Sequence, residues 1–169
     1  MNEAMEASGS PLPLFCDAML ASLARWLRAA GYDTGLAPVD ASDRAVLGAC
    51  RAQSRILLTR DRHLAAHAGK GVVVVLLASD GLDMQAAELA AALGVDWTWA
   101  PFSRCLLDNT LLREATPDER TRVPPRARDL PGPFRACPAC GRIYWPGSHV
   151  RRMQARMQQW NAHTPPKPR

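Results

Sequence analysis

Short apolar runs alternate along this chain with stretches of helical period. "PLPLFCDAM" reads as a short strand that ends at Asp17. Directly after it, "LASLARWLRAAG" sets Leu20, Leu23, Ala24, Leu27 and Ala30 at helical spacing, and Gly31 supplies a natural C-terminal cap. "YDTGLAP" offers a short second strand, and "DASDRAVLGACRAQ" opens with Ser/Asp capping chemistry before continuing as a helix. "SRILLT" predicts the next strand, ending in a carboxylate at Asp61, with "RDRHLAAHA" following as a helical turn or two. "GVVVVLLAS" is the clearest strand. It is a β-branched run bounded by Gly and Ser-Asp-Gly, expected to be buried on both faces of a parallel sheet. "DMQAAELAAALG" then predicts an alanine-rich helix closed by Gly94.

Strands alternating with helices at this spacing imply a doubly wound α/β sheet, mostly parallel. The alternation stops after residue 103, which divides the chain. Residues 1–12, polar or small, are expected as a disordered N-terminus, and 13–103 as the sheet domain. Residues 104–157 form a smaller basic module that includes the Pro/Arg-rich "RVPPRARDLPGP" and a short basic helix in "HVRRMQARMQQW". Residues 158–169, ending "HTPPKPR", are expected to be a disordered tail. A length of 169 residues suits this plan of one full core with an appendage.

Charge sharpens the division. Residues 1–103 carry eight Arg/Lys against eleven Asp/Glu, and residues 104–169 thirteen against five, so an acidic body is joined to a basic end. A basic segment of this kind is a candidate footprint for nucleic acid; an arginine-rich composition is the plainer explanation. There is no long apolar run and no signal-peptide pattern, so a cytoplasmic location is expected. Five cysteines, an odd number, fit reduced thiols and metal ligation better than a disulfide framework; Cys16 and Cys50 read as core residues.

In parallel sheets, sites form beyond the carboxyl ends of the strands. Asp17, Asp61 and Asp80 sit just past such ends, and Asp43 stands at a helix start, so four carboxylates can share one crevice. The plain alternatives are a helix cap for Asp43, a turn for Asp80, and the first helical turn for Asp83; Asp33, Asp40 and Asp96 read as solvated turn residues. No Ser-His-Asp pattern, Cys-His pattern or Gly-rich phosphate loop is present, and the four histidines do not suggest a nucleophile's base. A carboxylate cluster without such partners favours hard cations, Mg²⁺ or Mn²⁺, and these are needed to bring an anionic substrate to an acidic pocket. Arg25 and Arg28, three apart on one helix, and Arg60 and Arg62, flanking Asp61, can pair with the carboxylates or grip phosphates.

"FRACPACGRIYWPGSH" holds half of a zinc site in Cys137 and Cys140. Upstream, "SRCLLDN" offers Cys105 and, three positions later, Asp108 at the same ligand spacing. His149 is the rival fourth ligand. A site with four protein ligands is structural, because it leaves no open position for chemistry. A redox or incidental "CPAC" pair beside a buried Cys105 is the alternative.

The stretches "FCDAMLASLARWLRAAGYDT", "ILLTRDRHL", "FSRCLLDNTLL" and "FRACPACGRIYWPGSHVRRM" together resemble the PIN-like ribonuclease family named after the C-terminal domain of the Mut-seven exonuclease, over roughly residues 14–157. The resemblance implies a PIN-like α/β/α sandwich with a zinc-ribbon-like module, and metal-dependent RNA cleavage. By motif it assigns the acidic Mg²⁺/Mn²⁺ site to Asp17 and Asp61, then Asp43, with Asp80 or Asp83 matching by position. The chain departs from the family at Asp108, where a cysteine is usual, and the harder oxygen should weaken the zinc site. The leading expectation is an endoribonuclease in which Asp17, Asp43 and Asp61 hold the metal. Arg142, Arg151, Arg152 and Arg156 would then contact the backbone of single-stranded or structured RNA, with Tyr144 and Trp145 stacking on bases or packing the module. The alternative is a catalytically inactive RNA-binding or protein-interaction module on the same scaffold.

Overall fold

The computed structural model describes residues 12–163; the expected frayed N-terminus up to residue 11 and the end of the tail from residue 164 lie outside them. The strands β1 (Leu14–Cys16), β2 (Thr34–Leu36), β3 (Ile56–Thr59) and β4 (Val74–Leu76) form one parallel sheet in the order β2-β1-β3-β4. Leu14 pairs with Thr34 on one side and Ile56 on the other, and Leu57 pairs with Val74. The strand period of two sorts the side chains. Leu14, Cys16 and Leu58 join α1 (Ala21–Ala29) and α4 (Leu82–Leu93) on one face, whereas Phe15 and Leu57 meet α2 (Asp43–Ala52) and α3 (Arg62–Ala66) on the other. This is the doubly wound α/β arrangement that the alternation implied.

Local signals explain the boundaries. Ser42 caps α2 by accepting from the Ala45 N–H, and Gly94 closes α4 in the left-handed region. Gly31 takes φ +100°, and a Cβ there would stand 2.5 Å from the Ala100 carbonyl oxygen, so both conformation and space demand glycine. Cys16 and Cys50 are buried core residues.

Two expectations about the extent of elements are corrected. The run "GVVVVLLAS" does not form a strand buried on both faces. β4 is an edge strand whose residues are half-buried or exposed, and Val73 just before it is 64 % exposed. Apolarity of a run does not say which strand lies beside it. The disordered tail drawn from residue 158 is also shortened, because α6 (Ser148–Ala162) continues through Ala162 and buries Trp160. Trp160 stacks edge-on with Trp26 and Trp97, and its indole N–H donates to Asp83 Oδ1 at 2.7 Å.

The C-terminal part shares the sheet's core. β5 (Arg113–Glu114), β6 (Arg135–Ala136) and β7 (Ile143–Tyr144) make a small antiparallel sheet, with α5 (Pro117–Arg120) between β5 and β6. Yet Cys105, Leu106, Cys137, Tyr144, Met153 and Met157 belong to the same hydrophobic cluster as Leu14 and Leu27. Arg28 ties the two parts: its guanidinium is buried and donates to the carbonyls of Thr34, Leu106 and Leu107 at 2.9, 3.1 and 2.7 Å. Asn109 adds a second tie, accepting from the Thr34 N–H and donating to Asp33 Oδ1. No helix among the described residues is long and apolar enough to cross a membrane.

Asp33 is not the solvated turn residue expected. Arg55 donates to both its oxygens, at 2.8 and 3.1 Å. Burial pushes its carboxyl up, but the hydrogen bonds from Arg55 and Asn109 outweigh this and hold it below its ordinary value. A carboxyl lowered on folding stabilises above the unfolded-state range, and that stabilisation is lost as pH falls through the lowered folded value. Asp33→Ala is therefore expected to cost about 1–3 kcal/mol at neutral pH. The gap in urea midpoint should begin to narrow as the pH drops below about 4 and go on narrowing as it passes the lowered folded value; a gap that stayed constant with pH would refute this role.

Candidate functional site

Asp17 and Asp61 lie where β1 and β3, neighbours in the sheet, release the chain at their carboxyl ends. Each caps the turn that follows. Asp17 Oδ1 accepts from the Ala18 N–H at 2.6 Å, and Asp61 Oδ1 accepts from the N–H groups of His63 and Leu64 at 2.7 and 3.1 Å. Thr59, wholly buried at the end of β3, joins them. Its hydroxyl donates to Asp17 Oδ2 at 2.8 Å and accepts from the Asp61 N–H at 3.0 Å. Sequence reading passed over Thr59; the signal was a hydroxyl two residues before a strand-end carboxylate.

Asp43 approaches through His63, whose Nδ1 stands 3.3 Å from Asp43 Oδ2, with both side chains largely exposed. His63 was also overlooked, as the second residue after Asp61. Asp80 projects into solvent and is ion-paired with Arg60, so it does not join Asp17 and Asp61 directly. Asp83, the alternative to Asp80, is engaged by Arg156 and Trp160. Glu88, from α4, accepts from the N–H groups of Ala78 and Ser79 and so fixes the loop after β4.

The arginines divide into distinct roles. Arg62 is exposed beside Asp61, and Arg151 and Arg152 are exposed on α6. Arg28, expected as a phosphate contact, is corrected to a structural tie, because its donors are spent on carbonyls inside the fold. Arg156 is likewise held, by Asp83 and by the rings of Trp26 and Trp160. Tyr144 is unavailable for stacking: it is buried, and its hydroxyl accepts from the Leu106 N–H and lies 3.3 Å from Cys105 Sγ.

The second centre is the thiol cluster. Ligand atoms of Cys105, Asp108, Cys137 and Cys140 all lie within 4.8 Å of one another. Cys105 and Cys140 sulfurs are 3.7 Å apart, and Asp108 oxygens stand 3.3 and 3.5 Å from Cys137 Sγ. Tetrahedral zinc bonded at ordinary lengths requires about 3.8 Å between sulfurs and about 3.5 Å between sulfur and oxygen. The donor set therefore fits a metal such as zinc.

The two halves are built alike. The Cys105 N–H donates to the Thr110 carbonyl and the Asn109 N–H to the Cys105 carbonyl; the Cys137 N–H donates to Arg142 and the Gly141 N–H to Cys137 in the same pattern. Asn109 and Gly141 adopt φ +69° and +72° at equivalent places. Asp108 thus stands where its twin loop has Cys140. Burial pushes the Asp108 carboxyl up, but Thr110 and the thiols of Cys140 and Cys105 hold it well below the usual carboxylate range, ionised as ligation requires. His149 is corrected out of the set. Its Nε2 lies 3.4 Å from Arg25 Nη2, and it is not among the clustered ligands.

The thiol cluster and the strand-end aspartates fall in the order that the resemblance required. The sequence profile of the Mut7-C RNAse domain matches residues 13–157. The chain belongs to that family. No curated protein and no solved structure shows a significant match. In this member of the Mut7-C RNAse family the two centres occupy opposite ends of the sheet. Asp17 and Asp61 follow the carboxyl ends of β1 and β3, whereas the Cys105–Asp108 loop is fastened through Asn109 to Thr34, the first residue of β2.

Thr59→Val keeps the volume of Thr59 and removes both bridging bonds. It should lower stability by about 1–2 kcal/mol in urea titration, and an unchanged midpoint would argue against the bridge. Asp108→Cys should make the cluster all-thiolate and slow zinc loss to a chelator, while Cys137→Ser should abolish stoichiometric zinc. Equal zinc retention by all three proteins would overturn the ligand assignment.

Proposed function

We propose that the chain is a metal-dependent ribonuclease that hydrolyses RNA phosphodiester bonds, endonucleolytically, at the edge formed by Asp17, Asp43 and Asp61. Family membership supports a ribonuclease-like role. The observation that carries the finer reading is the Thr59-bridged pair of carboxylates beyond adjacent parallel strands.

Asp17 and Asp61 are the residues that would hold Mg²⁺ or Mn²⁺, ions content with one or two carboxylates and several waters. When bound, such an ion supplies an activated water and offsets the charge that builds on the phosphodiester. Thr59 keeps the Asp17 carboxylate fixed in direction, and the α3 amino end does the same for Asp61. Asp43 orients the His63 ring at the rim. Arg62, exposed next to Asp61, offers a backbone phosphate contact, while Asp80 restrains Arg60. The thiol cluster, as a structural zinc site, would keep the basic module rigid against the sheet.

One observation favours a second reading, a catalytically inactive RNA-binding module. Both oxygens of Asp17 and one of Asp61 already accept internal hydrogen bonds, a capping role that needs no metal.

Incubating the protein and Asp61→Asn with single-stranded and structured RNAs, in Mn²⁺ or in EDTA, separates the two. Asparagine still caps α3, so the fold is preserved. Metal-dependent internal cuts that slow by roughly 10²-fold or more in the variant are expected. RNA bound but uncut by both proteins would transfer the assignment to the inactive module.

A further inference from the structure

A cavity of about 240 Å³ opens where α1, the two cysteine loops and the start of α6 meet. Its walls include Leu107, Tyr144 and Trp145, and Arg25, Arg142 and His149 add positive or hydrogen-bonding groups to its lining. No carboxylate is among its lining residues, although the chain carries 16 Asp and Glu. Arg25, Arg142 and His149 are all exposed, and the first and last of these stand 3.4 Å apart without an acidic partner between them. Leu107 is 53 % exposed at this same place, an apolar side chain left open to solvent.

We infer that this cavity binds one nucleotide of a single-stranded RNA, the base against the Trp145 and Leu107 wall and a phosphate between Arg25, Arg142 and His149. The inference rests on the ribonuclease reading and adds to it a second contact point away from the aspartates. An apolar wall with a cationic rim is the combination that single-stranded nucleic acid requires, since each nucleotide presents an apolar ring face and an anion. The cavity is smaller than the roughly 300 Å³ and upward of sites that enclose drug-sized ligands, which suits one nucleotide of a chain. Its place is set by the cysteine loops. Leu107 lies between Cys105 and Asp108, and Arg142 follows Gly141. Those loops attach to the amino end of the sheet through Thr34, whereas Asp17 and Asp61 follow the carboxyl ends. The RNA is therefore gripped at one end of the sheet and presented to the other.

The test uses the full chain carrying Asp61→Asn, in which cutting is slowed, with a short labelled single-stranded RNA followed by fluorescence anisotropy over a range of salt. Arg142→Ala should weaken binding roughly tenfold at low salt and make the logarithmic salt slope shallower by about 0.7, the value for one lost phosphate contact on a single strand. Leu107→Glu, which sets a carboxylate against the phosphate, should weaken it further. Arg126→Ala, exposed and outside the cavity, should leave the slope unchanged. Circular dichroism and zinc content report whether each variant keeps its fold. Arg142→Ala and Leu107→Glu behaving like Arg126→Ala would overturn the pocket. If the unaltered protein cuts RNA in that case, the ribonuclease reading stands without it. Tight binding of uridine monophosphate, with RNA affinity untouched by the cavity variants, would overturn it in favour of a free-nucleotide site. An unaltered protein that neither binds nor cuts RNA removes both.

Discussion

The guanidinium of Arg28 joins elements that are far apart in the chain. It sits inside the fold on α1, with one donor on the first residue of β2 and others on two consecutive carbonyls of the loop that carries Cys105 and Asp108. Burial pushes it below its ordinary pKa, opposed by Cys16, Cys105 and the carboxylates of Asp108 and Asp33. A charge taken out of water is tolerable only when hydrogen bonds replace the lost water, and here three carbonyls supply them. Removing the carbonyls would strand the charge, and removing the charge would strand the carbonyls. The sheet and the cysteine loops are consequently obliged to keep one relative placement.

That placement sets two groups of donor atoms, different in hardness, at opposite ends of the sheet. At the carboxyl ends of β1 and β3 the side-chain groups are carboxylate oxygens, which on the proposed ribonuclease reading would hold Mg²⁺ or Mn²⁺. At the other end three sulfurs and one oxygen suit a softer ion in a closed shell. The oxygen of Asp108 is the point of compromise. Because its loop reproduces the turn of the Cys137 loop bond for bond, the substitution changes the donor atom and leaves the scaffold in place.

Much of this could be read from the chain. The strand, carboxylate and helix order around Asp17 and Asp61 was legible because apolar runs and cap residues are local signals. Cys105, Cys137 and Cys140 were legible from spacing, whereas the fourth ligand stood open between Asp108 and His149 until the structure placed Asp108 in the cluster. Arg28 was not: three residues after Arg25 it looks like part of the same exposed stripe, and only the return of residues 106–107 buries it. Thr59 was missed because a hydroxyl at a strand end has many ordinary uses. The edge position of β4 was hidden for a different reason, since lateral order in a sheet depends on chain segments remote in sequence. The cavity rim was hidden likewise, as Arg25 and His149 meet across 124 residues.

The strand order β2-β1-β3-β4 has a temporal meaning for a chain made from its amino end. An inner strand, β1, is the first to leave the ribosome, and each later strand finds a partner already made: β2 and β3 add to β1, then β4 to β3. Closing such loops in succession keeps each entropy cost modest. The docking of residues 106–109 onto Arg28 and Thr34 closes a longer stretch than any of these strand pairs and uses chain made after all four strands. Synthesis is slow enough for a domain's earlier part to organise first. The thiols of Cys105, Cys137 and Cys140 are thus made only after all four strands of the parallel sheet.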